Sequence, residues 1–508
     1  MNVVDLFAGQ ARQRPEAPAI VEGRGRRRRV TTFADLERRG AEGAGRLWAE
    51  GIRPGDRVLV LVPVSATLYE VLAGVFRIGA VAVLVDPGAG LARLAEAVDH
   101  VRPVAFVGSP KAHALRVVAR PVRRIPTRFV TAGWAPGARR WGGGAPVAVE
   151  RVGADAPSLL TFTSGTTGRP KAAVRTHGLL AAQHAALSAA LDLRPGDVDL
   201  ATLPVVVLAN LASGVTTVLP DADLRRPGAF DVAPVLAQVR AERPTRSVAS
   251  PAFFERLLDH AAPGDLGSFR RLDTGGAPVF PDLLARLAGV AETAAGVYGS
   301  TEAEPIAHAG PFSGLDRERV ARGGGLLAGT PVPEVDVRVV RDHPGPLGPF
   351  TAAEWERQRV APGAAGEIVV AGAHVVPGYL GGDGDAESKV AVDGRRWHRT
   401  GDAGRFDAEG RLWLLGRCAA GSRRGGRVLY PLQVEAAVRE TTGARAAFID
   451  LDGRRLVVVA GTADLDAVRA SVAWADLDGV LSVPALPLDR RHNAKIDRPA
   501  LLALLRSR

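Results

Sequence analysis

Leu159-Leu160-Thr161-Phe162, followed by Thr163-Ser164-Gly165-Thr166-Thr167-Gly168-Arg169-Pro170-Lys171, is the most informative segment of this chain. The first four residues form an apolar run that reads as a strand entering a turn. The nine that follow combine hydroxyl donors, two glycines and a cation. Glycine lets backbone N–H groups approach an anion, and successive N–H groups in a turn make a concavity suited to phosphate oxygens. Ser164, Thr166 and Thr167 add hydroxyls, and Lys171 adds a compact charge. The spacing is not that of the Walker A loop, which has four residues between its first glycine and Gly-Lys-Ser/Thr. By composition alone a solvated Ser/Thr/Gly loop reads the same way, so the rest of the chain decides between them.

The chain has 508 residues, enough for about three domains or one large multi-lobed enzyme. Apolar content is 46% and aromatics are few, as in a globular chain. No run approaches the ~18 apolar residues of a membrane span. Met1-Asn2-Val3-Val4-Asp5 lacks the layout of a signal peptide. Cys418 is the only cysteine, which rules out an intrachain disulfide and a thiolate zinc site. A cytoplasmic protein without a transmembrane segment is expected. The formal charge is +11, and Arg24, Arg26, Arg27, Arg28 and Arg29 form a basic run. That run reads as a hairpin loop between Ala19-Ile20-Val21 and Val30-Thr31-Thr32. No aromatic interleaving or helix-turn-helix pattern accompanies it, so no nucleic-acid partner is expected. Lys111, Lys171, Lys389 and Lys495 are the only lysines; in so arginine-biased a chain a surviving lysine points to a site that uses an ammonium, and two of the four sit inside motifs.

Along the first 130 residues, strand and helix patterns alternate. Val58–Val62 and Ala80–Val85 read as strands on either side of a helix over Tyr69–Gly79. This rhythm predicts a mostly parallel sheet covered by helices. Residues 132–156 read as a surface connection, after which α/β alternation resumes to about 310. Residues 320–415 are rich in strands and turns and predict a small β-barrel. A Gly/Arg-rich loop after Gly416-Arg417 leads into a small α+β segment.

Further motifs follow the phosphate loop in order. Gly275-Gly276-Ala277-Pro278 is a turn of small residues against which a flat ring can lie. Tyr298-Gly299-Ser300-Thr301-Glu302 supplies an aromatic face, hydroxyls and a carboxylate. His398-Arg399-Thr400-Gly401-Asp402 offers a carboxylate to ribose hydroxyls, and Gly416-Arg417 a guanidinium. Arg491-His492-Asn493-Ala494-Lys495-Ile496 places a lysine near the last residues. Taken together, the chain resembles the adenylate-forming superfamily of acyl-CoA synthetases, peptide-synthetase adenylation domains and luciferases, nearly from end to end.

The resemblance implies an α/β fold. It consists of a large N-terminal AMP-binding domain over residues 1–417, built of two α/β subdomains and a small β-barrel, and a C-terminal α+β lid over 418–508. It implies that Thr163, Ser164, Gly165, Thr166, Thr167, Gly168 and Lys171 grip the β- and γ-phosphates of ATP. Gly276, Ala277, Tyr298, Gly299 and Ser300 would line the nucleotide, with Tyr298 against adenine. Thr301 would contact the α-phosphate and Glu302 would hold Mg²⁺. Asp402 would bind the ribose with Arg417 nearby, and Lys495 would bridge substrate carboxylate and α-phosphate.

One branch looks closest, the OleC-type β-lactone synthetases of olefin biosynthesis. Leu84–Gly88, Pro220–Pro227, Ser250–Phe253, Gly404–Trp413 and above all Arg491–Ile496 carry that likeness. Enzymes of that branch adenylate a 3-hydroxy fatty acid, whose hydroxyl then displaces AMP, so the implied partners are a small-molecule 3-hydroxy acid and other enzymes of its pathway. The family's usual hinge aspartate, two residues after Gly-Arg, is here Ala419. Leu203–Leu208 is an apolar run where a pocket histidine is often found, and it equally resembles a buried strand. An acyl-CoA or acyl-carrier ligase is the main alternative, and a non-catalytic nucleotide-binding protein a distant one. Glu304 and His308 follow the Tyr298 motif as candidate bases for the 3-hydroxyl.

Overall fold

The computed structural model describes residues 1–86, 88, 90–164, 170–225, 227–489 and 495–507. Contacts divide the chain into two compact units. One comprises Met1–Asp221, Ala233–Arg246 and Ala373–Asp385, the other Ala222–Val232, Ser247–Gly372 and Ala386–Arg508.

In the first unit a seven-stranded sheet runs in the order Arg139–Arg140, Thr127–Val130, Ala105–Gly108, Arg57–Leu61, Val81–Leu84, Pro157–Ser164, Pro170–Thr176. All neighbours are parallel except the last pair. Continuous apolar runs such as Val58–Leu61 suit strands covered on both faces. Leu59, Val83, Phe106 and Leu160 are buried together in one core. The helix expected over Tyr69–Gly79 spans Ala66–Arg77. It starts earlier because the Ser65 hydroxyl accepts the Leu68 N–H, a local cap that outweighs the apolar pattern.

A second sheet of this unit contains Val198–Ala201, Thr216–Val218, Pro18–Glu22 and Arg29–Thr32. The expected hairpin around the basic run is present, and its charges are partly spent within the fold. Arg24 pairs with Asp221 at 3.0 Å, and Arg28 grips Glu242 with two bonds of 2.6 and 3.0 Å. Leu203–Leu208 belongs to a helix, Pro204–Ser213, and not to a strand. Pro204 pre-sets the first turn, while Asn210 anchors the helix to Asp199 and Thr217 at 2.8 and 3.1 Å.

In the second unit Arg271–Gly275 runs parallel to Thr293–Ser300. From there the sheet turns antiparallel through Ala303–Ala309, Leu326–Pro331, Leu412–Arg417, Arg395–Phe406, Gly366–Gly372 and Val335–Val340. This is the strand-rich region read from the sequence. The Gly/Arg-rich loop forms a hairpin, Ser422–Arg424 with Arg427–Leu429, whose turn glycines Gly425 and Gly426 both have positive φ. Beyond it, Ala446–Leu451, Arg454–Ala460 and Gly479–Val483 make a three-stranded sheet with helices Pro431–Thr442, Leu465–Ser471 and Arg498–Arg506. Leu432 and Ala436 of the first of these helices pack on Val320, Leu326 and Trp413.

His177, fully buried in the first unit, accepts the Val3 N–H at Nδ1 over 3.2 Å. Burial, and then the N-terminal ammonium, lower its pKa to about 4. The folded chain therefore binds fewer protons here than the unfolded chain below about pH 6.5. The stability from neutral His177 is whole above that pH and is lost as the pH falls toward 4, by on the order of 3 kcal/mol. Urea unfolding of the parent should lose stability steeply over this window. His177→Gln, which keeps an acceptor but cannot protonate, should show a flatter slope; equal slopes would contradict the assignment.

Candidate active site

The sheet of the second unit brings four expected residues together. Gly275 and Val297 are register partners on adjacent parallel strands, so Gly276 and Tyr298 lie side by side at the carboxyl ends. Such ends are where α/β sheets bind ligands. Gly276 has φ +80° and open space where a Cβ would stand. A flat ring could therefore approach its backbone without obstruction. Gly299 is tighter, since a Cβ there would lie 3.0 Å from the Ala303 carbonyl. Ser300 ends its strand and accepts the Glu302 N–H at 3.3 Å, and Thr301-Glu302 form the two-residue turn between strands. Ala277, Thr301 and Glu302 are half-buried.

The Tyr298 hydroxyl donates to Asp402 Oδ2 at 2.9 Å, and Arg417 Nε stands 3.3 Å from Asp402 Oδ1. Asp402 and Arg417 are register partners on antiparallel strands, and Arg417 also donates to the Thr400 carbonyl at 2.9 Å. Burial, and then the neighbouring Asp402 charge, push the Tyr298 phenol well above its ordinary range, so it remains a donor. The Asp402 charge raises Arg417 in turn. A carboxylate has about four lone-pair positions, and these two partners leave acceptor capacity for a diol. Thr400-Gly401-Asp402 lies inside one long strand, Arg395–Phe406. Gly401 at φ +69° interrupts its regular course and aims Asp402.

Sequence reasoning missed what holds this segment. Glu367 is buried and accepts from Arg399 at 2.6 and 2.8 Å and from the Gly401 N–H at 3.3 Å. Burial raises the Glu367 carboxyl, and Arg399 opposes that rise. The Thr400 hydroxyl donates to the Ile368 carbonyl at 2.8 Å and accepts the Asp402 N–H at 3.0 Å. The only visible signal was a carboxylate in an otherwise apolar strand, Gly366-Glu367-Ile368.

In the first unit, Pro157–Ser164 and Pro170–Thr176 form the two arms of a hairpin in which Thr163 faces Lys171. Gly165, Thr166, Thr167, Gly168 and Arg169 lie outside the described residues, as do the side chains of Thr163 and Ser164. Lys171 is 8% exposed, with its ammonium 5.7 Å from the centre of the Tyr379 ring. Gly384, at φ +91°, lies against it: a Cβ there would stand 2.2 Å from Lys171 Nζ. Ala173 bridges to Tyr379, and the Tyr379 N–H is held by Asp385 at 2.9 Å. The glycine cluster from Gly378 to Gly384 was the readable signal for this cradle.

Lys495 is exposed, and its backbone exchanges hydrogen bonds of 3.1 and 2.8 Å with Asp489. Arg491, His492, Asn493 and Ala494 lie outside the described residues. His308 pairs with Val297 and Ala307 with Tyr298, so strand alternation puts His308 on the face opposite Tyr298. Among the described residues no cluster of three or more His, Cys, Asp or Glu could hold a metal. Mg²⁺ arriving with a polyphosphate needs only one or two carboxylates, and Glu302 fits that part.

A glycine-lined ring platform and an aimed carboxylate on the same sheet define a nucleotide-handling protein. The chain belongs to the AMP-binding enzyme family, whose model matches residues 7–380. Among its relatives is an enzyme named olefin beta-lactone synthetase from Stenotrophomonas maltophilia (strain K279a). It is 34% identical, over 98% of this chain and 97% of that one. A feruloyl-CoA synthase from Amycolatopsis sp is 32% identical over 98% of this chain and 91% of its own. The fold matches the ATP-bound structure of MatB from Rhodopseudomonas palustris with a TM-score of 0.79, at 23% identity and 99% coverage of both chains. The protein is thus an AMP-forming ligase or synthetase by family.

Removing one partner of a buried ion pair typically costs about 3–5 kcal/mol. Arg399→Gln, which leaves Glu367 buried and unpaired, should lower urea stability on that scale. Replacing both, Glu367→Leu with Arg399→Met, should recover much of the loss. It should not recover AMP affinity, because the Gly401 N–H still lacks its acceptor. Full recovery of AMP binding by the double variant would show that Asp402 is aimed by something else.

Proposed function

We propose that the enzyme adenylates a 3-hydroxy fatty acid with ATP and then lets the 3-hydroxyl displace AMP, giving a β-lactone. The observation that carries this reading is the end-to-end likeness to enzymes named olefin beta-lactone synthetase, from Stenotrophomonas maltophilia and Xanthomonas campestris, each 34% identical over 98% of this chain. Ala419 supports it. It is exposed in a short turn just after Arg417, where a solvated aspartate would meet no packing obstacle. Loss of the hinge carboxylate is therefore unforced by the fold. That suits an enzyme needing no lid rotation toward an external thiol.

In the first step a substrate carboxylate oxygen attacks the α-phosphorus and pyrophosphate leaves. Both reactants are anionic, so cations must lie on each. Lys171 and the Thr163–Gly168 loop would hold the β- and γ-phosphates. Tyr298, Gly276 and Ala277 would hold adenine, and Asp402 with Arg417 the ribose. Thr301 would contact the α-phosphate, and Lys495, on a lid formed by residues 418–508, would bridge carboxylate and phosphate. Mg²⁺ held by Glu302 would neutralise phosphate charge. In the second step the 3-hydroxyl oxygen attacks the acyl carbon, its proton departs and AMP leaves. Intramolecular capture supplies an effective molarity of order 10⁵–10⁸ M, which offsets ring strain.

The test omits CoA. A 3-hydroxy fatty acid with ATP and Mg²⁺ should give AMP and a product lighter by one water, and Lys495→Ala should abolish both. Formation of acyl-CoA on adding CoA, with no lactone without it, would identify an acid–thiol ligase instead. Equal activity of Lys495→Ala and parent would refute the role of that lysine.

Gly384 tests the grip on phosphate. Gly384→Ala should raise the KM for ATP about tenfold or more, with little change in kcat, by displacing the Lys171 ammonium. Gly382→Ala, also at positive φ but with open space around its Cβ, carries backbone strain alone and should leave KM near the parent value. If Lys171→Ala does not change KM, the lysine's role fails. If Gly384→Ala adds fully to Lys171→Ala, the cradle does not act through the lysine.

A further inference from the structure

Between Asp99 and Glu150 the chain carries nine cations and no carboxylate, close to the whole molecule's net charge of +11. This block forms the edge of the seven-stranded sheet. Arg139 and Arg140, both exposed, are its last strand. Arg139 pairs with Glu50 at 2.9 Å. Lys111, Arg120, Arg123 and Arg124 are exposed and enter no ion pair among the described residues. Burial, and then the Arg116 and Arg128 guanidiniums, lower the pKa of His113 beneath this surface.

The same edge exposes large apolar side chains. Val117 is 77% exposed, Val118 62% and Trp134 75%. They belong to one surface. The Arg116 guanidinium donates to the Pro136 carbonyl at 2.7 Å, and a Cβ on Gly133 would lie 4.0 Å from Pro110. Arg128 ties the flank together by donating to the Arg123 carbonyl at 2.7 Å.

We propose that this edge, from Lys111 through Arg124 and the loop around Trp134, docks on an anionic lipid surface. Cations without carboxylates supply attraction to acidic headgroups, and each Lys or Arg near such a surface contributes about fivefold in affinity. Two exposed valines and a tryptophan beside them have no use against a polyphosphate backbone. At a bilayer interface the aliphatic side chains leave water, and the indole sits at headgroup level. The described residues contain no helix long and apolar enough to cross a membrane, so contact is with the surface. The strands ending at Gly108, Val130 and Ser164 are parallel, so their last residues lie along the carboxyl end of the sheet. Gly108 and Ser164 are three strands apart in order, about 14 Å at ordinary spacing. Docking on this face is independent of which acid the enzyme activates.

The full-length protein is sedimented with vesicles of phosphatidylcholine alone and with about a third phosphatidylglycerol. Binding is expected only to the latter, and it should fall steeply between low and high salt. Arg120→Glu/Arg123→Glu/Arg124→Glu should weaken it about a hundredfold or more. Trp134→Ala with Val117→Ser and Val118→Ser should weaken it several-fold while leaving the salt dependence intact. Unchanged thermal midpoints show that the variants fold, and the apolar set stands as a second test if the charge variant does not. Absence of binding to the acidic vesicles at low salt would overturn the proposal. So would equal binding by folded variants and parent, or loss of duplex-DNA binding in the charge variant without loss of vesicle binding.

Discussion

The second unit's site depends on one carboxylate being held and aimed. Asp402 is held on one oxygen by the Tyr298 hydroxyl and on the other by Arg417, residues more than a hundred positions apart in one case and fifteen in the other. Neither partner can serve without the strand that carries Asp402 being bent at Gly401, and that bend is fixed from beneath by Glu367. A buried carboxylate is costly in itself. Arg399 makes it tolerable by donating to Glu367 at 2.6 Å and to the His343 carbonyl at 2.6 Å. Asp402 therefore inherits its geometry from a buried pair beneath it, a division of labour common where a binding group must be placed to within a fraction of an ångström.

The residues proposed to do chemistry were readable because they are unusual in place. Tyr298-Gly-Ser-Thr-Glu, Thr400-Gly-Asp and the phosphate loop each break the apolar alternation around them, and their order carried the family. Glu367 and Arg399 were not legible as a pair, since register on antiparallel strands sets their meeting. The glycine cluster at 378–384 was visible too, but not its meeting with Lys171, because Tyr379 and Gly384 reach the lysine from some two hundred residues away. Local capping moved the helix start to Ala66, and tertiary packing made a helix of the valine run at Val205–Val207. In both places the competing force was invisible to periodicity alone.

The scarcity of lysine proved a better guide than the net charge. Lys171 and Lys389 are both buried, which arginine seldom manages without a fork of acceptors. Lys389 stands 3.3 Å from His398 Nδ1, immediately before the Arg399-Thr400 segment that supports Asp402. Burial, and then the Lys389 charge, push the His398 pKa well below its usual value, so the ring stays neutral. A point charge fits between strands there, where a planar guanidinium would need more room. The charge of the chain, by contrast, is unevenly partnered: Arg24 and Arg28 of the Arg24–Arg29 run meet Asp221 and Glu242, while Lys111, Arg120, Arg123 and Arg124 face water.

The joint between the sheet and the last ninety residues bears on the fate of an adenylate. Gly416 has φ +124°, and a Cβ there would approach Pro431 Cδ to 2.9 Å, so the helix Pro431–Thr442 packs directly on the strand end. Any side chain at 416 would force this packing apart. Three residues on, at Ala419, the constraint vanishes and the position is exposed. A hinge that must rotate between two half-reactions needs side chains that stabilise both settings, since a conformational equilibrium responds only to differences between states. Methyl at 419 offers no such difference. An enzyme whose second nucleophile is already part of its first substrate has no need of one. For such an enzyme, holding the closed setting until the ring forms also keeps water from the acyl-adenylate.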